Sequence, residues 1–281
     1  MEHVKKPDWL KISIGSNERY TKTKQIVESH RLHTICSSGR CPNMGECWGR
    51  GTATFMIGGN ICTRSCKFCN TQTGRPLPLD TNEPLHVAES IRLMKLTHAV
   101  ITSVDRDDLN DLGAAHWADT IREIKRLNPD TTIEVLIPDF QGREELIQMV
   151  IDATPNIISH NMETVRRISP DVRSAADYDR SLKVIKQISQ NGVVSKSGIM
   201  VGLGETQEEV EELMDDLLEV GCEILTIGQY LQPTHKHYPV AAYITPEQFV
   251  EYKETGLEKG FRQVESAPLV RSSYHAEKHI I

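Results

Sequence analysis

A repeated alternation of strand and helix patterns constrains the fold of this 281-residue chain more than any other feature. From residue 52 onward, a short apolar or β-branched run is followed by a loop and an amphipathic helix pattern, and this cycle occurs six times. Repeats of this kind form a parallel sheet that curls into a full or partial barrel, with its active site at the C-terminal ends of the strands. The predicted strands are 52–57, 99–104, 132–137, 157–160, 198–201 and 224–228, with a further apolar run near 261–265.

The helix patterns carry local start signals. Thr206 with Glu209 and Thr245 with Gln248 both fit the capping box, in which a hydroxyl and a longer polar side chain satisfy each other's backbone N–H groups. The predicted helices are 84–96, 114–127, 143–153, 176–190, 206–220 and 246–259.

The segments on either side of these repeats are treated as extensions. The N-terminal one is irregular and rich in turns, with one helix pattern near 22–30. We therefore predict an α/β fold with three parts: an N-terminal extension at 1–50, a partial (β/α)6 TIM-like barrel at 51–260 and a short C-terminal extension at 261–281.

The bulk composition excludes several classes of function. The chain is 38% hydrophobic and 25% charged and has no low-complexity tract, which is typical of a globular protein. Its formal net charge of −7 speaks against a protein that neutralises nucleic-acid phosphates. No uncharged apolar run is long enough to span a bilayer, and the first ten residues lack the apolar core of a signal peptide. We expect a cytoplasmic location with no nucleic-acid or membrane partner.

Six of the seven cysteines lie between positions 36 and 69, in two sets of three. The second set, Cys62, Cys66 and Cys69, has Cys-x3-Cys-x2-Cys spacing, which brings three soft thiolates to one point and supplies no obvious fourth ligand. Such a loop suits a metal or a cluster with an open coordination position. Because thiols stay reduced in the cytoplasm, ligand roles are favoured over disulfides.

Two interpretations of this loop differ in the metal. A structural zinc loop is one, but zinc sites usually close with a fourth Cys or His, commonly in two short Cys-x2-4-Cys pairs, and that arrangement is missing here. The other rests on Phe68, an aromatic residue directly before the third cysteine. With it, the loop resembles the cluster loop of the radical S-adenosylmethionine (SAM) superfamily. The resemblance implies that Cys62, Cys66 and Cys69 hold a [4Fe–4S] cluster whose fourth iron binds SAM, the source of a 5′-deoxyadenosyl radical.

The first set, Cys36, Cys41 and Cys47, has Cys-x4-Cys-x5-Cys spacing and again lacks a local fourth ligand. It resembles the auxiliary-cluster motif of the lipoyl synthase family, in which the fourth ligand comes from a C-terminal Arg-Ser-Ser-Tyr motif. That motif stands here at residues 271–274. The resemblance implies a second [4Fe–4S] cluster held by the three cysteines and by Ser273, which the resemblance alone favours over its neighbour Ser272. Further stretches resemble the family over nearly the whole chain, among them 52–57, 96–102, 163–167, 178–182 and 228–234.

The resemblance also implies a reaction and its participants. Two sulfur atoms would be inserted, at C6 and C8, into an octanoyl chain on a lysine of a lipoyl carrier domain or H protein, with one SAM consumed per sulfur and the auxiliary cluster as sulfur donor. The other partners would be an electron donor such as flavodoxin or ferredoxin and an iron–sulfur cluster carrier protein. Two alternatives stay open: another sulfur-inserting radical SAM enzyme that acts on a free small molecule, and a zinc-stabilised binding module.

Polar residues just after predicted strands are candidates for the SAM pocket. Ser103 and Asp105 lie at the end of the predicted strand 99–104, and Asn161 and Glu163 follow the strand 157–160. At those positions the side chains can meet ribose hydroxyls or the methionyl group. Helix capping is the alternative role for Asn161.

Two glycines in the run 198–205 complete the candidate pocket. Gly202 and Gly204 would let the backbone approach a ligand, and by resemblance the run lies against the SAM adenine. The Rossmann fingerprint is not met, because Gln207 stands at the position of its third glycine. A plain strand–helix turn is therefore an equally good interpretation of the run by itself.

Overall fold

Ten strands form in the part of the chain that the computed structural model describes, which is residues 6–11, 17–30, 32–274 and 276–279. The six predicted strands are present as β2 and β5 to β9, and the run near 261–265 forms β10. The strands are β1 (His33–Thr34), β2 (Thr54–Ile57), β3 (Ile61–Cys62), β4 (Gln72–Thr73), β5 (His98–Ser103), β6 (Thr132–Leu136), β7 (Ile157–Ser159), β8 (Val194–Val201), β9 (Ile224–Gln229) and β10 (Gln263–Ser266).

The same residues form ten α-helices, and three 3-10 turns at Asp8–Leu10, Phe140–Gly142 and Ala276–His279. The six predicted helices are present as α4 to α6 and α8 to α10. None of the described helices is both long enough and apolar enough to cross a membrane. The helices are α1 (Glu18–Ser29), α2 (Ile35–Ser38), α3 (Met44–Arg50), α4 (Glu83–Met94), α5 (Ala114–Leu127), α6 (Glu144–Asp152), α7 (Ser169–Val172), α8 (Tyr178–Gln190), α9 (Gln207–Glu219) and α10 (Pro246–Lys259).

Eight of the strands form one sheet in the order β1-β2-β5-β6-β7-β8-β9-β10. From β2 to β10 every neighbouring pair is parallel, and helices connect the successive strands. β1 pairs antiparallel with β2 at one edge, with His33 opposite Met56, and β10 forms the other edge. β3 and β4 form a separate parallel pair. The sheet is not closed, so the predicted partial TIM-like barrel is confirmed.

Local hydrogen bonds explain where two of the predicted helices begin. At α9 the Thr206 hydroxyl accepts from the Glu209 N–H, and the Glu209 carboxylate accepts from the Thr206 N–H, so the capping box is complete. At α10 the Thr245 hydroxyl accepts from the Gln248 N–H, which is one half of the predicted motif.

The N-terminal extension is more regular than the sequence predicts. α1 begins at Glu18 rather than near residue 22, because the Asn17 side chain accepts a hydrogen bond from the Tyr20 N–H and caps the helix. The extension also adds β1 to the main sheet. The division of the chain at residues 50 and 260 stays a prediction. Parts of the predicted extensions, residues 1–5, 12–16, 31, 275 and 280–281, lie outside the described residues.

The inner face of the sheet differs from the outer one. Apolar side chains such as Ile101 of β5 and Ile121 of α5 are fully buried in a core that strand and helix residues share. Inside the barrel, by contrast, Lys196 of β8 donates to Glu134 of β6 at 2.6 Å, and both side chains are at most 1% exposed. Burying an ion pair is costly unless its geometry is good, so this pair fixes the relative position of the two strands beneath the site.

Candidate active site

A cavity of about 550 Å³ lies at the C-terminal ends of the barrel strands. Its wall includes residues from the ends of β5 and β6 and from the loops that follow the strands. All seven cysteines are free thiols. The structure brings the two predicted sets to one place, because five of their six members line the cavity: Cys36, Cys41, Cys62, Cys66 and Cys69.

The loop that carries the second set is anchored between β3 and β4. The Gly74 N–H donates to the Cys62 carbonyl at 3.0 Å, and the Cys69 N–H donates to the Cys66 carbonyl at 3.1 Å, so the chain turns back between the ligand positions. Backbone N–H groups also reach the sulfur atoms. The Cys69 sulfur accepts from the Thr71 N–H at 3.5 Å. Donors of this kind stabilise thiolates.

Burial favours the neutral form of the thiols of this loop. Burial raises the pKa of the Cys62 thiol to about 12, with the Asp105 carboxylate adding to the effect. Burial likewise raises the pKa of Cys66 and of Cys69. A cation bound between the sulfur atoms reverses this balance, because a coordinated thiol is deprotonated outright. The donor set therefore fits a group that carries its own positive charge.

Arg64, which lies between Cys62 and Cys66, connects the cysteine loop to the loops that follow β5 and β6. Its side chain is 5% exposed and contacts the carboxylates of Asp105 at 3.3 Å, Asp107 at 2.8 Å and Asp139 at 2.8 Å. Burial opposes the charged forms, yet the ion pairs raise the pKa of Arg64 and, with a hydrogen bond from Gln141, hold that of Asp107 at about 2. Asp105, a predicted SAM-pocket residue, thus lies at the cavity wall but is engaged by Arg64.

The first cysteine set lies on two short helices of the N-terminal extension. Cys36 is on α2, Cys47 is on α3 and Cys41 lies in the turn between them. Burial raises the pKa of the Cys47 thiol to about 12, and the nearby thiols of Cys36 and Cys41 add to the effect. Cys47 is thus close to the other two although it does not line the cavity.

The C-terminal segment is clasped onto these helices. The Asn43 side-chain amide donates to the Leu269 carbonyl at 2.7 Å, although the two residues are 226 positions apart. The Tyr274 hydroxyl donates to the Glu46 carboxylate at 3.1 Å. We call residues 43–50 and 269–277, with these contacts, the terminal clasp. It brings the Arg-Ser-Ser-Tyr motif to the cavity.

The two serines of that motif both line the cavity but have different partners. The Ser273 hydroxyl accepts from the Thr54 hydroxyl at 2.8 Å. The Ser272 hydroxyl accepts from the Asn161 amide at 2.9 Å. Ser273 therefore lies next to β2, whereas Ser272 contacts the predicted SAM pocket.

Besides Asp105, three predicted SAM-pocket residues line the cavity: Ser103, Asn161 and Glu163. Glu163 has a positive φ of 67°, an uncommon backbone conformation for a residue other than glycine. Its N–H donates to the Gly198 carbonyl, and its carboxylate accepts from the Asn161 amide at 3.1 Å. Burial raises the pKa of the Glu163 carboxyl. Asn161 and Glu163 thus form one polar group against β8.

Gly202 and Gly204 do not lie in this wall. Gly202 follows the end of β8, and a β-carbon there would collide with the Gln229 side chain and the Ala242 carbonyl, so the glycine is needed for packing. The residues of β8 that line the cavity are Gly198, Ile199 and Met200. Since side chains alternate along a strand, the strand end could have indicated Gly198 and Met200.

Two observations test whether this part of the cavity suits a polar ligand. The Asn161 side-chain oxygen is buried and has no hydrogen-bond partner among the described residues. A β-carbon added at Gly198 would come within 2.6 Å of the Thr226 hydroxyl and 2.9 Å of that same oxygen. An unpaired acceptor beside a space that only glycine leaves open fits the amine or hydroxyl donors of SAM.

The arrangement of the described thiols does not fit a single metal ion. Among the described residues, no three His, Cys, Asp or Glu side chains converge closely enough to hold one metal ion. A four-iron cluster makes a different demand, because each thiolate binds a different iron.

Comparison with known proteins assigns the class. A model of the radical SAM superfamily matches residues 56–217, which is more than half of the chain. The crystal structure of methylornithine synthase is similar in fold, with a TM-score of 0.60 and 12% identity over 89% of this chain and 76% of that one. The crystal structure of HydG, a maturase of the [FeFe]-hydrogenase, has a TM-score of 0.57 and 15% identity over 70% of this chain and 47% of that one. Fold and cluster loop together define a radical SAM enzyme.

Closer relatives narrow the assignment. The lipoyl synthase of Phocaeicola vulgatus is 82% identical over 280 residues, which cover 100% of this chain and 99% of the relative. The lipoyl synthases of Parabacteroides distasonis and Treponema denticola are 72% and 60% identical, over 99% of this chain and 99% and 96% of theirs. The chain belongs to the lipoyl synthase family. Membership of this family rules out the alternative interpretation of the chain as a zinc-stabilised binding module.

Proposed function

We propose that the two cysteine sets divide the work of a sulfur-inserting enzyme. As a lipoyl synthase family member, the chain inserts sulfur at C6 and C8 of an octanoyl chain on a lipoyl carrier protein, and it uses SAM and [4Fe–4S] clusters. In our assignment Cys62, Cys66 and Cys69 hold the radical-generating cluster. The auxiliary cluster, which donates sulfur, is held by Cys36, Cys41, Cys47 and Ser273.

The observation that carries this assignment is that thiols of both sets line one cavity. Sulfur insertion at a carbon requires that the site of hydrogen removal and the sulfur source face the same atom. A shared cavity at the C-terminal end of the barrel meets this requirement without movement of a domain. An enzyme with one cluster would need only one set.

The surrounding residues position the reactants. With SAM bound, the radical-generating cluster supplies a 5′-deoxyadenosyl radical, which removes hydrogen from unactivated carbon. Asn161 and Glu163 offer acceptors to the amine and hydroxyl groups of SAM, and Ser103 offers a hydroxyl from the end of β5. Apolar wall residues such as Val100 and Leu136 suit an alkyl chain and exclude water from the reacting carbon.

The electron donor and the source of replacement clusters are proposed by chemical class. A flavodoxin or ferredoxin would reduce the radical-generating cluster, and an iron–sulfur carrier protein would rebuild the auxiliary one. Ser65 and Lys67, on either side of Cys66, are exposed, which gives a small redox protein access near that ligand. The cytoplasm is the proposed location, since it keeps free thiols reduced.

The proposed function is tested with the anaerobically reconstituted full chain and an octanoyl-lysine peptide. With SAM and a reductant, we expect a peptide that gains two sulfur atoms, with one 5′-deoxyadenosine formed per sulfur. Free octanoate is the matched control and should not be thiolated. Thiolation of free octanoate with an untouched peptide would instead establish the small-molecule alternative.

The serine ligand of the auxiliary cluster leads to a separate prediction. A hydroxyl oxygen is a harder ligand than a thiolate, so iron bound to it is released more readily during turnover. We expect Ser273→Cys to assemble both clusters but to insert sulfur about tenfold more slowly, an effect of roughly 1.4 kcal/mol on the limiting barrier. Iron content measures the assembly of the clusters, and the amount of thiolated peptide per 5′-deoxyadenosine measures sulfur insertion relative to SAM cleavage.

Ser272→Cys is the matched control, because it places the same side chain one residue away. It should leave the ratio of thiolated peptide to 5′-deoxyadenosine unchanged. Normal double insertion by Ser273→Cys, or a lowered ratio in Ser272→Cys alone, would contradict the assignment of Ser273.

A further inference from the structure

Arg64 has a role that the ligand assignment does not use. Its guanidinium joins three loops, because it contacts Asp105 and Asp107 after β5 and Asp139 after β6, while its backbone lies between two cysteines. Asp139 is itself fully buried and also contacts Arg180 at 3.2 Å. An exposed side chain could hold the cysteine loop in place, so a purely structural role does not explain why the Arg64 guanidinium is almost completely buried.

The same network supplies the donors to one sulfur atom. The Cys62 sulfur accepts from the Arg64 N–H at 3.4 Å and from the Asp105 N–H at 3.3 Å. The side chains of these two residues contact each other, so the ion pair holds both N–H groups in place. Thr63 adds to the same connection, since its N–H and its hydroxyl both donate to the Asp105 carbonyl.

We propose that Arg64 is a positioning residue that sets the reduction potential of the cluster held by Cys62, Cys66 and Cys69. It acts in two ways: it holds two N–H donors against the Cys62 sulfur, and its buried positive charge offsets the carboxylates of Asp105, Asp107 and Asp139 around the cysteine loop. The inference rests on the proposed ligand role of Cys62.

The direction of the effect follows from charge. An added electron makes a cluster more negative, and both hydrogen bonds to sulfur and a nearby positive charge stabilise that state. Loss of the guanidinium removes the charge and loosens the donors, so both changes make reduction harder. Another residue of the network should have the opposite effect on the reduction potential. Asp139 contributes negative charge on the far side of Arg64, so its neutralisation leaves the guanidinium less compensated and makes reduction easier.

Arg64→Gln and Asp139→Asn should therefore shift the potential in opposite directions. With the reconstituted full chain held at the midpoint potential of the unmodified cluster, we expect Arg64→Gln to lower the ratio of reduced to oxidised cluster about tenfold, which equals ~59 mV for a one-electron couple. Asp139→Asn should raise the ratio, and Arg64→Lys should restore part of it. Electron paramagnetic resonance measures the reduced fraction.

The chain offers two controls. Arg106 is a buried arginine in the loop after β5, next to Asp105 and Asp107. Its side chain pairs with Asp108 and the Gly58 carbonyl, so Arg106→Gln should leave the ratio unchanged. The auxiliary cluster is an internal standard, and its midpoint potential should not change in any variant. A stronger reductant should restore 5′-deoxyadenosine formation in Arg64→Gln, which it would not do for a misfolded loop.

The outcomes separate the inference from the assignment beneath it. An unchanged ratio in Arg64→Gln with both clusters intact would overturn the role of Arg64. If that variant assembles no cluster, Asp139→Asn decides, because it has almost the same shape, and an unchanged or lowered ratio would overturn the role as well. If Cys62→Ala retained both clusters, the assignment of Cys62 as a cluster ligand would be wrong.

Discussion

Replacement of Cys66 by alanine should reduce 5′-deoxyadenosine formation below detection while the auxiliary cluster remains. Three thiolates hold the radical-generating cluster in our assignment, and two leave a second iron without a protein ligand. Iron bound per chain should fall from about eight to about four atoms, as expected for the loss of one [4Fe–4S] cluster. Iron and sulfide analysis on anaerobic protein, with 5′-deoxyadenosine measured by chromatography, checks both parts.

Cys222 provides the matched control for this experiment. It is 3% exposed, lies after α9 and does not line the cavity. Cys222→Ala removes a thiol of equal size and should leave both the iron content and SAM cleavage unchanged. Continued SAM cleavage by Cys66→Ala, or a loss of iron in Cys222→Ala, would show that the thiols have been assigned to the wrong roles.

Replacement of Cys41 by alanine should have the converse effect. The auxiliary cluster loses one of its three thiolates, whereas the loop from Cys62 to Cys69 is untouched. We expect SAM cleavage to continue and thiolated peptide to be absent, with iron again reduced to about four atoms per chain. The comparison of 5′-deoxyadenosine with thiolated peptide in one reaction measures the separation of the two activities.

This second prediction has a clear point of failure. If Cys41→Ala produced thiolated peptide at the normal rate, sulfur would have to come from a source other than the first cysteine set. Loss of both products would have a different meaning. Because α3 is part of the terminal clasp, it would show that the cavity itself depends on the auxiliary cluster.

Local patterns made the fold predictable. Each βα unit of the barrel has an apolar run and an amphipathic helix, and helix boundaries follow hydrogen bonds within a few residues, as at Thr206 and Glu209. α1 was predicted too short, because the cap that Asn17 provides was not used as a signal. The antiparallel addition of β1 depends on pairing with β2, a contact that no local pattern contains.

The site was predictable only where its chemistry is close together in sequence. The cysteine spacing indicates both cluster loops. The partners of Arg64, by contrast, are Asp105, Asp107 and Asp139, which lie at least 41 positions further along the chain. The assignment of Gly202 and Gly204 relied on the glycines of a turn. Gly198 does line the cavity, and its missing side chain matters because Thr226 of β9 and Asn161 of the loop after β7 approach it.

The buried pair Glu134 and Lys196 shows the same limit. Glu134 lies in the predicted strand 132–137, whereas Lys196 lies between two serines, just before the predicted strand 198–201. Charged residues of this kind are usually exposed. Only the barrel places the two on neighbouring parts of its interior, where each neutralises the other. A single strand pattern cannot contain this information.

The terminal clasp also orders events during protein synthesis. Cys62, Cys66 and Cys69 leave the ribosome almost together, so their cluster can be inserted while the chain is still growing. Asn43 and Leu269 are 226 positions apart, and at the usual rate of translation about 11 to 45 s pass before the second partner is made. In the proposed assignment, the auxiliary site of Cys36, Cys41 and Cys47 stays incomplete until Ser273 has been made. In the proposed assignment, a growing chain would therefore complete the SAM pocket at Asn161 and Glu163 before it completes the ligand set of the sulfur source.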